Sequence, residues 1–168
     1  SFSINEMKRL GLSGITLSVE LTLRQIENFR NISGIYTEAI VYGRIPLMTS
    51  EYCPVGSIVG KFDTTSKCTG ACEKGMYFLK DRMGKKFPVL CDRIDCRSTI
   101  FNSDTHFLAD NVDRITDSGV DIVRLDFTDE KPSEIYETIN MYREIIERGT
   151  GALSKSAEFV DRIKSRGF

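Results

Sequence analysis

Polar and apolar positions along the chain change period several times, and each change marks an element. Ile4 to Leu10 carries a helical pattern closed by Gly11, after which Ile15-Thr16-Leu17-Ser18-Val19 alternates as a strand does. Thr22 is placed to cap a helix over about Leu23 to Phe29, and Asn31 and Gly34 mark a turn into a second strand, Ile35 to Val41. A strand, a helix and a strand of these lengths predict a βαβ unit with parallel strands.

Regularity stops after Tyr42-Gly43-Arg44. The stretch from Met48 to Phe101 is rich in Gly, Thr, Lys and Cys, and only Tyr77-Phe78-Leu79 and Phe87-Pro88-Val89-Leu90 read as strands. Asp81 to Lys86 between them predicts a β-hairpin. A structureless segment of this length is uncommon in a compact domain, so the insertion, taken as residues 49–101, needs its own strands or a metal to order it.

Helical spacing returns at about Phe107 to Asp117, through Leu108, Val112 and Ile115, with Gly119 as its stop. Val120 to Phe127 reads as a buried strand. Pro132 opens an amphipathic helix whose predicted buried face is Ile135, Ile139, Tyr142 and Ile146, ended by Gly149. A polar helix over about Ser154 to Ser165 follows. The order predicts one α/β domain over residues 1–168, built as a parallel layer with a cysteine-rich β-hairpin insertion. Such a layer belongs either to a (β/α)-barrel or to a small open sheet, and three parallel strands are too few to close a barrel, so a piece of a larger one is expected.

Composition narrows the function classes. Of 168 residues, 40% are apolar and 28% charged, which fits a folded globular domain. The formal charge of -1 provides no global field for nucleic acid or an anionic membrane. No apolar run approaches the roughly 20 residues of a membrane helix, and Ser1 to Leu10 is unlike a signal peptide. The expectation is a cytoplasmic protein without a membrane partner.

All five cysteines, Cys53, Cys68, Cys72, Cys91 and Cys96, fall within the insertion. In a reducing compartment such a cluster points to thiolate ligands for zinc or an iron-sulfur centre rather than to disulfides. An odd count fits four ligands and one bystander, or two disulfides and a free thiol if the chain is secreted. The intervals of 14, 3, 18 and 4 intervening residues match neither a zinc ribbon nor a bacterial ferredoxin. Cys91, beside Leu90 in an apolar strand, is the one that best fits a small buried residue.

Other candidates lie at strand ends, where parallel α/β folds hold their active sites. Glu20 and Glu38 are placed to point into a barrel interior. Arg124 sits on an apolar strand, which implies an edge position or an anion-facing role, with Asp126 and Glu130 as available pairs. His106 is the only histidine, leaving one candidate for imidazole chemistry, and its expected place is over the helix that begins nearby. The Lys80 to Lys86 hairpin offers charge to a phosphate, although basic hairpins more often protect sheet edges. No phosphate loop, dinucleotide fingerprint, His-Glu-x-x-His or nucleophile elbow occurs.

Four strings, Ile15-Thr16-Leu17-Ser18-Val19-Glu20-Leu21, Val41-Tyr42-Gly43-Arg44-Ile45-Pro46-Leu47-Met48, Leu79-Lys80-Asp81-Arg82 with Phe87-Pro88-Val89, and Ile100-Phe101-Asn102-Ser103, resemble peptidase family U32, the collagenase-like proteins. They occur in that family's order over about the first 130 residues. The resemblance implies the second half of a (β/α)-barrel and a four-cysteine cluster after the Tyr-Gly-Arg strand. Cys53 matches the first cysteine and Cys96 the last, while Cys68, Cys72 and Cys91 compete for the middle positions.

Members classed as peptidases are similar to others that hydroxylate RNA bases or a quinone precursor, several with an iron-sulfur cluster. The resemblance therefore implies an enzyme fragment with an RNA or peptide substrate. A non-catalytic zinc module that binds RNA or protein is the alternative. Half a barrel is also expected to self-associate.

Overall fold

The computed structural model describes residues 2–29, 34–61 and 67–165. In chain order its elements are α1 (Phe2–Arg9), β1 (Gly14–Thr16), α2 (Leu23–Glu27), β2 (Tyr36–Gly43), β3 (Pro46–Ser50), β4 (Tyr77–Lys80), β5 (Lys86–Cys91), β6 (Ser98–Phe101), β7 (His106–Phe107), α3 (Val112–Asp117), β8 (Ile122–Asp126), α4 (Pro132–Arg148) and α5 (Ala157–Lys164). Short 3-10 turns and one π turn join them. This is a mixed α/β protein with two sheets, neither closed into a barrel. Asn31 lies outside the described residues. No described helix is long and apolar enough to cross a membrane.

The chain divides into two compact units, Ser1–Gly43 with His106–Val160, and Arg44–Thr105 with Asp161–Phe168. In the first, β2 is central. It pairs in parallel with β1, where Thr16 faces Glu38, and in parallel with β8, where Ile40 faces Arg124. The predicted βαβ unit is present, and Thr22 caps α2 in a capping box with Gln25.

Alternation along β2 buries Thr37, Ala39 and Val41 on one face. Thr37 illustrates how a buried polar group is satisfied: its amide and hydroxyl both reach Asp121 Oδ2, at 2.8 and 3.0 Å. Tyr42 lies in an aromatic group with Phe107, Phe127 and Tyr142 at centroid distances of 5.4 to 6.4 Å. Close approach of β2 and β8 explains the glycine in Tyr-Gly-Arg. Gly43 has φ +135°, and a Cβ there would lie 2.3 Å from the Asp126 carbonyl oxygen.

Two expectations need correction. α4 has the predicted span, but it buries Thr138, Met141, Tyr142 and Ile145, whereas Ile146 is 55% exposed. The buried face is rotated toward Met141 and Thr138, because Thr138 satisfies its hydroxyl on the Glu134 carbonyl and so enters the core at little cost. The segment expected as a helix from Phe107 begins instead with β7, which pairs antiparallel with the end of β2, and α3 starts only at Val112.

The second unit holds a four-stranded antiparallel sheet in the order β3-β6-β5-β4. The predicted hairpin is β4–β5, and its turn is built by Asp81, whose Oδ1 accepts the Met83 and Lys85 amides at 2.8 and 2.9 Å. Val89 and Cys91, two apart on β5, share one face of this sheet. A small core of Val55, Ala71 and Val89 gathers there, with Cys53, Cys72, Tyr77, Cys91 and Ile100 packed against it. Tyr77 donates to the Ala71 carbonyl at 2.8 Å, pinning the 3-10 turn Ala71–Lys74 to the sheet.

Candidate functional site

The five cysteines all line one concavity of about 660 Å³. Local structure delivers them from three directions. Cys53 follows β3 and precedes the π turn Val55–Val59, whose Gly56 amide donates to Cys53 Sγ at 3.2 Å. Cys68 and Cys72 lie on the connection to β4, Cys68 exposed and accepting the Gly70 amide at 3.4 Å. Cys91 ends β5. Cys96, exposed and with φ +55°, sits in the β5–β6 connection.

Cys53 Sγ and Cys91 Sγ are 3.9 Å apart, and Cys91 Sγ is 3.4 Å from Ser98 Oγ. Burial pushes the Cys91 thiol above its ordinary range. The Ser98 hydroxyl opposes that shift, and the neighbouring sulfurs of Cys53 and Cys72 add to it.

Among the described residues, no group of three or more His, Cys, Asp or Glu side chains has converged into a metal-holding arrangement. The cysteines are nonetheless the right kind of donor for a soft metal: all five line the cavity, together with Glu51, Glu73 and Asp92. The Arg93–Glu73 ion pair, 2.7 Å, lies at this wall and is largely exposed.

The strand-end candidates occupy the first unit. Arg124 places Nη1 2.8 Å from Glu38 Oε1, and Nε and Nη2 2.8 and 2.9 Å from the two Asp126 oxygens. Thr16 donates to the same Glu38 oxygen at 2.8 Å. Its carboxylate partners, Asp126 first and then Glu38, raise the Arg124 pKa above the ordinary guanidinium value. Among the described residues β8 pairs only with β2, so Arg124 is on an edge strand.

Glu20 is exposed in the turn before α2, and its carboxylate makes no hydrogen bond or ion pair among the described residues. Glu130 bonds the Tyr42 hydroxyl at 3.1 Å and the Thr128 amide at 2.6 Å instead of Arg124.

His106 does not cover a helix. It lies in β7, and its Nε2 is 3.1 Å from the Ile40 carbonyl oxygen, next to the register shift between Ile40 and Tyr42. Among the described residues no cysteine forms a hydrogen bond with it. Arg44, the last residue of Tyr-Gly-Arg, is buried and donates to the Asn102 and Ser103 carbonyls, tying two of the recognised strings together. Sequence reasoning had assigned Arg44 no role. A cation directly after a strand was the available signal.

These features define a mixed α/β protein with a thiol-lined cavity in one unit and a carboxylate–guanidinium cluster in the other. A family model described as peptidase family U32 matches residues 1–167, and the chain belongs to that family. Searches of curated proteins and of solved structures found no match.

Proposed function

We propose that the chain is the cluster-bearing part of a collagenase-like U32 protein that acts in hydroxylation of RNA bases. The observation that supports this most is the gathering of all five cysteines on one cavity, from segments up to 43 residues apart in sequence. Cys53 and Cys96, with two of Cys68, Cys72 and Cys91, would hold an iron-sulfur cluster there. Such a centre, when bound, supplies one-electron chemistry. The chain's own part is to back Cys53, Cys72 and Cys91 with the apolar core of Val55, Ala71 and Val89 and to orient sulfur through the Gly56 and Gly70 amides.

Among the described residues no cysteine is hydrogen-bonded to the histidine, so the family's peptidase classification gains no Cys–His pair here. The single imidazole is engaged with the Ile40 carbonyl, and hydrolysis by a Cys–His pair requires the two to be within hydrogen-bond reach. On this reading the first unit is a segment of a partial (β/α)-barrel, with β1, β2 and β8 as its parallel strands. Glu38 and Arg124, held together, are the residues proposed to face substrate.

A structural zinc site is a second reading, favoured by the small apolar core of the second unit, which leaves a metal to contribute folding free energy directly. Anaerobic purification followed by iron, sulfide and zinc analysis separates the two. Visible thiolate-to-iron absorption with stoichiometric iron supports the cluster, and colourless protein with stoichiometric zinc overturns it in favour of the structural site. RNA hydroxylation in cells that depends on Cys53 tests the activity itself.

A further inference from the structure

We propose that Cys53 and Cys91 form a redox-active thiol pair that a peroxide converts to an intramolecular disulfide. In the described residues these are the two sulfurs in mutual contact, at 3.9 Å, and they come from positions 38 apart in the chain. Cys91 is fixed at the end of β5, where it faces Ser98 across the ladder. Cys53 belongs to the connection after β3, outside the ladder, and the Gly56 amide orients its sulfur. Closing from 3.9 Å to a bond of about 2.05 Å brings together a sulfur on the ladder and one outside it. Both residues are half-buried and open onto the cavity, which admits a molecule as small as hydrogen peroxide.

The chemistry balances with a peroxide as the two-electron oxidant. The Cys53 thiolate attacks one peroxide oxygen, the O–O bond breaks, and the departing hydroxide takes a proton to leave as water. The resulting sulfenic acid is attacked by the Cys91 sulfur. The S–O bond breaks, a second water leaves with the Cys91 proton, and the S–S bond forms. Two thiols are oxidised and one peroxide is reduced to two waters.

The consequence for metal binding rests on the preceding functional reading. Oxidation removes two of five sulfurs and leaves Cys68, Cys72 and Cys96, one fewer than a four-thiolate site requires. The pair would therefore gate metal loading by oxidation.

The test uses the metal-free, fully reduced chain treated with one equivalent of hydrogen peroxide, alkylated, and digested with trypsin without reduction. Cleavage after Lys and Arg places Cys53 in residues 45–61, Cys91 in 87–93, Cys96 in 94–97, and Cys68 with Cys72 in 68–74. The proposal expects 45–61 linked to 87–93, two hydrogens lighter than the sum of the reduced peptides, with the other three cysteines alkylated. Linkage of 87–93 to 68–74 or 94–97, or an unlinked and overoxidised Cys53, overturns it.

The Cys68→Ser and Cys96→Ser variants should keep the link, and its loss in both would contradict the pair. Zinc uptake is then compared between reduced and oxidised chain. Equal uptake overturns the gating, whereas a reduced chain that binds neither zinc nor iron defeats the functional reading and leaves the mapped disulfide standing.

Discussion

Replacing Tyr142 by Phe tests how the first unit's core is held. Tyr142 is 2% exposed, and its hydroxyl donates to the Val41 carbonyl at 2.7 Å. That carbonyl also accepts the Leu108 amide at 2.9 Å, so the variant leaves no buried acceptor without a partner. The penalty for an unsatisfied group, about 1–3 kcal/mol, does not apply. The ring stays, and with it the edge contacts to Tyr42 and Phe107, both at 6.3 Å. What is lost is the net worth of one hydrogen bond, about 1 kcal/mol.

A pH series adds a second arm. Burial, first, and then the Tyr42 and Asp110 charges raise the Tyr142 phenol above its ordinary range. A group whose folded pKa is raised keeps its contribution below the unfolded value, about 10 for tyrosine, and loses it as pH climbs toward the folded value. Urea unfolding at pH 8 should show the variant weaker by about 1 kcal/mol with an unchanged slope, and the gap should shrink above pH about 10. A gap exceeding about 3 kcal/mol, or one that widens at high pH, would refute this account of the core.

Gly43→Ala should cost about 2 kcal/mol or more, because it combines a left-handed φ of +135° with a Cβ 2.3 Å from the Asp126 carbonyl. Amide exchange in β8 should accelerate, and unchanged protection would show that the strands do not need that approach. Arg124→Gln should lower stability by no more than about 1 kcal/mol, since the ion pairs are substantially solvated. If Glu38 and Arg124 face substrate, RNA hydroxylation should fall far more than that stability change implies, and parallel losses would assign the pair a structural role.

Much of the first unit was legible because its signals are local. Thr22 was placed to cap α2, as it does, and Pro132 and Gly149 bracketed α4. The face of α4 was misread because apolarity alone places Ile146 inward, whereas the helix buries Met141 and Thr138, with Thr138 bonded to the Glu134 carbonyl and Tyr142 to the Val41 carbonyl. β7 has two residues, too few for any period, and exists through its distant pairing with Tyr42 and Gly43. β3 opens with Pro46 and has exposed Leu47 and Met48, so its sequence carries no buried-strand signal. The cysteine cluster was visible as a density of thiols. Its internal arrangement was not, because the contact between Cys53 and Cys91 is set by the β3-β6-β5 ladder order.

Metal content of the anaerobically prepared chain, measured beside its Cys53→Ser and Cys96→Ser variants, bears most directly on the proposed site. The account predicts stoichiometric iron with matching sulfide in the parent, loss of metal in both variants, and retention when one of Cys68, Cys72 or Cys91 is replaced. Full metal content in the Cys53 and Cys96 variants, or a parent chain that takes up neither iron nor zinc on reconstitution, would contradict it.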